Sequence, residues 1–191
     1  VLVGAGAAGV AIAKLLNLYA PGIDIIAVDS KGIISHSRSD LNDSKKALLA
    51  FTNPSDVSGS LAEALQGADI FLGVSQPGLL TKSMIKTMAR SPIIFAMANP
   101  TPEIMPADAL KAGAAVVATG RSDFPNQVNN ALAFPGIFRG ALDNNVARIT
   151  DQHKIAAAEA IAGLVAEPSP EQIVPAVTDP RLVPAIAALI K

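Results

Sequence analysis

Between Ser122 and Gly136 the sequence reads SDFPNQVNNALAFPG, which sets the carboxamides of Asn126, Gln127, Asn129 and Asn130 within five residues. Amides both donate and accept hydrogen bonds and do not ionise, so they can orient a carboxylate or hydroxyl without competing for its proton. Buried without partners they are costly. A helix-capping cluster is the competing reading, and it explains one or two of the four.

A second constellation opens the chain. Gly4, Gly6 and Gly9 spell G-x-G-x-x-G, with Ala5, Ala7 and Ala8 between them, and Asp29 ends the next apolar run. The string alone is weak. Here it follows a strand-like VLV, opens a helix, and meets an acid twenty residues after Gly9, which are the contexts of a dinucleotide-binding fingerprint. Gly4 permits the tight turn, Gly6 lets the backbone approach a pyrophosphate, and Gly9 lets helix and strand pack closely. The helix N-terminus adds free N–H groups and the positive end of its dipole. A purely structural glycine turn is the bland alternative.

Asp29 is placed to accept a hydrogen bond from a ribose 2′-hydroxyl, which favours NAD. A 2′-phosphate is repelled unless cations compensate, and Lys31, Lys45 and Lys46 are the candidates. NAD and NADP both stay open. Two further strand ends, GVSQPG (73–78) and AMANPTPE (96–103), bring Val74, Ser75, Gly78 and Asn99 to the sheet edge where ligands of open α/β folds lie. Ser75 as a helix cap and Asn99 as a turn residue before Pro100 are the alternatives. Asn129 and Asn130 also follow a strand, and so are expected on the same edge as Asn99.

The elements that must position these residues follow from apolar periodicity and breakers. Helices are expected over 7–19, around 44–50 and near 81–90. Strands are expected over Ile25–Val28, Ile70–Val74, Ile93–Ala98 and Ala115–Ala118. Apolar strands alternating with helices predict a doubly wound, Rossmann-type α/β domain, with a parallel sheet and helices on both faces. Beyond Gly120 the rhythm changes to extra C-terminal helices. One starts near Gln127 and runs past FPG, one is capped by Thr150 or Asp151, and a short apolar one ends the Pro-punctuated tail. The 191 residues suit a single cofactor domain over 1–191. The start at Val1, three residues before the glycines, suggests a domain cut from a longer protein.

Composition excludes several classes. Net charge is -1 with dispersed Lys and Arg, so neither nucleic acid nor an anionic membrane is an expected partner. There is no Cys, hence no disulfide or thiolate chemistry. No apolar run approaches the roughly 20 residues of a membrane span, and a soluble, cytoplasmic protein is expected. Tyr19 ends the first helix, away from the glycine turn; His36, His153 and Asp123 read as incidental polar residues. No catalytic residue and no metal site emerges.

GAGAAG, VDSKG, FAMANPTPE and SDFPNQVNNALAFPGIFRGALD together resemble the NAD(P)-binding domain of malic enzymes, particularly the smaller bacterial and archaeal type. The resemblance covers essentially the whole chain. It implies oxidative decarboxylation of malate to pyruvate and CO2 with NAD or NADP and a divalent Mg or Mn. It also implies that Asn99, Asn129 and Asn130 contact substrate and the nicotinamide end of the cofactor. The family's catalytic Tyr and Lys and its carboxylate metal ligands precede the glycine motif and have no counterpart here. This chain is therefore expected to be inactive alone, within a homo-oligomeric (dimeric) parent. Another hydride-transfer enzyme, such as an amino-acid dehydrogenase, explains the glycines and Asp29 but not the amides. A nucleotide-sensing module without chemistry is the non-enzymatic alternative.

Overall fold

Apolar runs stopped by Gly, Pro and capping residues become short strands and helices in a computed structural model describing residues 1–191. The chain gathers into two compact units, Val1–Val117 and Ala118–Lys191. The first unit runs β1 (Leu2–Val3), α1 (Ala7–Tyr19), β2 (Ala27–Asp29), β3 (Gly32–Ile33), α2 (Asp43–Leu48), α3 (Leu61–Ala64), β4 (Ile70–Gly73), α4 (Lys82–Thr87), β5 (Ile93–Ala96) and α5 (Pro106–Ala112). Strand β6 (Val116–Thr119) spans the division.

The sheet order is β3-β2-β1-β4-β5-β6. Leu2 and Val3 pair in parallel with Ala27 and Val28 on one side and with Leu72 and Gly73 on the other. The order reverses between β1 and β4, the switch point at which open α/β sheets bind ligands. All four expected strands are present within a residue or two of their bounds. One edge strand, β3, which is not among the four expected, departs from the parallel pairing. β3 pairs antiparallel to β2, Val28 with Ile33 and Asp29 with Gly32, because SKG makes a tight reversal rather than a crossover.

Alternate strand residues feed two cores. Leu2 and Ala27 pack with Ala13 of α1 and Leu48 of α2. Val3, Val28, Phe71 and Ile94 pack with Ala64 of α3, Ile85 of α4 and Ala109 of α5. Helices therefore cover both faces. Phe71 is fully buried, which stabilises the unit by roughly 1.5–3 kcal/mol for one such side chain. Helices α2, α3 and α4 start at side-chain caps from Asn42, Ser60 and Thr81. Helix α1 starts at Gly6 with no side-chain cap and no acid in its first turn.

The second unit contains a 3-10 turn (Asn130–Leu132), α6 (Phe134–Asp143), α7 (Asp151–Gly163) and α8 (Leu182–Ala187). Thr150 caps α7, as the sequence suggests, in a capping box closed by His153. The helix expected from Gln127 is corrected. Gln127 bridges to Thr119 in extended pairing, Asn126 has φ of 56°, and helix geometry begins only at Asn130 before α6 restarts around Pro135. Helix α6 meets α8 through glycine. A β-carbon on Gly136 would lie 2.6 Å from Cβ of Ile186, and one on Gly140 would lie 2.8 Å from Cβ of Ile190. Ile186 and Ile190 are fully buried there.

Candidate functional site

The glycine turn does what its spacing requires. Gly4 has φ of 108°, and a β-carbon there would meet the Val74 carbonyl oxygen at 2.6 Å. At Gly9 a β-carbon would collide with the Gly4 carbonyl oxygen, so only glycine lets α1 lie this close to the turn. At Gly6 a β-carbon would meet nothing within 4 Å. The space over Gly6 is open, and Gly6, Ala7 and Ala8 are exposed. The first N–H groups of α1 have no partner within the helix. This cradle fits a pyrophosphate.

Beside it a cavity of about 400 Å³ is lined by Val3, Asp29, Lys31, Ser60, Ser75 and Leu79, among others. Asp29 sits at its rim with a side chain only 6% exposed. Four donors converge on its carboxylate. Oδ1 accepts from the Lys31 backbone N–H at 2.9 Å and Arg38 Nη1 at 2.7 Å; Oδ2 accepts from Arg38 Nη2 at 3.1 Å and Lys45 Nζ at 2.5 Å. Burial pushes the Asp29 carboxyl up, but the bonds from Arg38, Lys45 and Lys31 outweigh it and hold the group at about 2. Arg38 also grips Asp40, and it is held well above its ordinary value by Asp40 and Asp29.

Of the three candidate lysines, Lys45 reaches Asp29 through its ammonium, Lys31 gives its ammonium to Asp40, and Lys46 is exposed on α2. Sequence reasoning missed Arg38. It lies in an aperiodic polar segment, nine residues beyond Asp29, and nothing in its spacing singles it out.

The exits of β4 and β5 lie in the same unit. Val74 donates its N–H to Val3 and packs against Gly4. Ser75 is exposed, with its backbone N–H on Glu103. Gly78 has φ of 69° and donates to the Pro102 carbonyl. Asn99 is exposed three residues past the end of β5, before Pro100. Glu103, also missed, looks from the sequence like a loop acid.

In the second unit the four amides part company. Asn126 is buried; its Nδ2 donates to the Pro170 carbonyl at 2.8 Å, and its Oδ1 accepts from the Ile173 N–H at 2.8 Å. It fastens a loop 44 to 47 residues away, and Gln127 takes part in extended pairing. Asn129 Oδ1 caps the 3-10 turn by accepting from the Ala131 N–H at 2.9 Å. Asn130 is exposed, with its carboxamide uncommitted within the chain. Asp123 pairs with Arg121, and His36 pairs with Asp56. No group of three or more His, Asp or Glu side chains gathers to hold a metal ion, and no helix is long and apolar enough to cross a membrane.

Comparison with known proteins agrees with this geometry. Residues 1–189 match the family described as malic enzyme, NAD binding domain. The chain is 56% identical to the bifunctional malic/malolactic enzyme of Bacillus subtilis, over 98% of this chain and 46% of that protein. It is 47% identical to an NADP-dependent malic enzyme of Rhizobium meliloti, over 96% of this chain and 26% of that one. The crystal structure of an NAD-dependent malic enzyme from Thermotoga maritima superposes with a TM-score of 0.94 at 45% identity, covering this chain entirely and 50% of that one. The chain thus spans half or less of the length of these relatives. With the family match running over residues 1–189 of 191, this chain belongs to that family as a malic enzyme NAD-binding domain.

Proposed function

We propose that the chain is the cofactor-holding part of an NAD(P)-dependent malic enzyme, which oxidatively decarboxylates malate to pyruvate and CO2. The observation that carries this reading is the open cradle over Gly6 at the sheet's switch point, with Asp29 at the rim of the adjoining cavity. The N–H groups at Gly6–Gly9 hold the pyrophosphate, and Asp29 with its cations faces the adenosine ribose. Val74, Ser75, Gly78 and Asn99 border the nicotinamide half. When bound, the nicotinamide supplies the hydride acceptor.

Asn99, Asn129 and Asn130 orient the carboxylate or hydroxyl of the substrate. Asn99 and Asn130 are the stronger of these, because both side chains are exposed and neither caps a turn as Asn129 does. Asn129 contributes through Nδ2, since its oxygen is used as a cap. The resemblance supports a longer, homo-oligomeric cytoplasmic parent protein as the seat of this activity, with Mg or Mn held outside these residues.

Calorimetric titration of the chain with NAD and NADP is expected to show binding, abolished by Gly6→Val, whose side chain fills the cradle. Within the longer protein, malate with a divalent ion is expected to reduce the cofactor, followed by its absorbance in the near ultraviolet. Cofactor binding without malate-dependent reduction would leave a sensing module. Reduction with an amino acid instead would leave another dehydrogenase.

A further inference from the structure

Glu103 is fully buried, and no cation pairs with it. Burying a carboxyl group is costly unless hydrogen bonds satisfy it. Here the bonds come from the backbone at two strand exits. Oε1 accepts from the Ser75 N–H at 3.0 Å, just past β4, and Oε2 accepts from the Ala98 N–H at 2.9 Å, just past β5. The Glu103 carbonyl takes the Leu80 N–H at 3.0 Å, and the neighbouring Pro102 carbonyl takes the Gly78 N–H at 3.2 Å. Strand β4 makes room for this group: a β-carbon on Gly73 would lie 2.5 Å from the Glu103 Cδ and Oε1.

One side chain therefore ties together the segments that carry Ser75 and Gly78 on one side and Asn99 on the other. Two separate loops with solvated N–H groups would need no buried carboxyl. What the carboxyl adds is a fixed spacing between the two exits, on the sheet edge where open α/β folds bind ligands.

We propose that Glu103 is a positioning residue for the nicotinamide half of the cofactor site, acting through the Ser75 and Ala98 peptides rather than by touching the cofactor. The proposal rests on the dinucleotide reading above. Glu103→Gln keeps the shape but turns one acceptor into a donor, so one of the two N–H groups faces an N–H group. Gly73→Ala leaves the Glu103 residue in place and displaces its carboxyl, and it also presses the Phe71 ring edge, 2.7 Å from the new β-carbon, which the thermal midpoint reads.

The test compares binding of NAD with binding of ADP, which lacks the nicotinamide half, to the unsubstituted protein and to both variants, with thermal midpoints measured alongside. The expected result is about a tenfold loss of NAD affinity with ADP affinity unchanged, in both variants. Equal losses for the two ligands would make Glu103 purely structural and overturn the proposal, as would unchanged NAD affinity. Failure of the unsubstituted protein to bind either ligand would overturn the dinucleotide reading itself, and this proposal with it. Should Glu103→Gln not fold, Gly73→Ala alone decides between these outcomes.

Discussion

Replacing Lys45 by Met should change which cofactor the protein prefers. A carboxylate offers about four lone-pair positions, and on Asp29 four donors already fill them. A ribose 2′-hydroxyl can be accepted only if one donor withdraws. Arg38 is held by two acids and the Lys31 N–H is part of the backbone, so Lys45, on a flexible stem, is the donor that yields. A 2′-phosphate has the opposite requirement and gains from the ammonium. A cation about 6 Å from a phosphate, at an effective dielectric of about 20 to 40, contributes roughly 1.5–3 kcal/mol. The Lys45 side chain is a quarter exposed, so the lower figure applies. Lys45→Met is therefore expected to weaken NADP about tenfold while leaving NAD unchanged or a few-fold tighter, because an acceptor on Oδ2 is freed. Calorimetric titration with each cofactor at constant ionic strength measures both. Equal weakening of NAD and NADP would refute the argument from saturated acceptors.

The same carboxyl makes stability depend on pH. Its native value of about 2 lies below the ordinary 3.8, so its contribution is complete above about pH 4 and disappears as pH falls through 2. Each tenfold change in acid strength is worth roughly 1.4 kcal/mol, and for this nearly buried side chain the contribution is about 2–3 kcal/mol. Unfolding free energies from urea titration of the protein and of Asp29→Asn should differ by that amount at pH 6 and converge near pH 2. A constant gap across the range would show that the ion pair is not its source. In the amide segment, Asn126→Ala should lower stability by about 2–4 kcal/mol, from two lost buried hydrogen bonds and a left-handed backbone. Asn130→Ala should leave the thermal midpoint within a degree or two and weaken malate use about tenfold or more in the active protein, the value of a hydrogen bond to a charged group. A reversed pattern would make Asn130 architecture and Asn126 the ligand residue.

The glycine turn is legible in the sequence because its causes are local. Gly4 needs its backbone angle and Gly9 its missing β-carbon against atoms a few residues away, and such demands leave a spacing in the chain. Asp29 is legible for the same reason, at the end of an apolar run. Its donors are less so. Arg38 and Lys45 reach it across a polar segment without period, where any of several cations fits equally well from sequence. Glu103 leaves no signal, since its partners are backbone N–H groups on other loops. The amides read as one cluster serving one ligand, yet Asn126 answers to Pro170 and Ile173, partners distant in sequence. Strand β3, two residues long, is too short to show a pattern against its turn.

The glycine contact between α6 and α8 also bears on the order in which the protein can be made. Residues Gly136 and Gly140 wait for Ile186 and Ile190, about fifty residues later in synthesis. Until Ile190 has cleared the ribosomal exit tunnel, Leu132 and Ala157 lack neighbours that complete their buried cluster. By then the six-stranded sheet, whose last strand ends at Thr119, has had time to assemble. Translation therefore delivers a finished cofactor cradle ahead of an unfinished helical unit. During that interval the apolar seam of α6 is the surface a nascent-chain chaperone would meet.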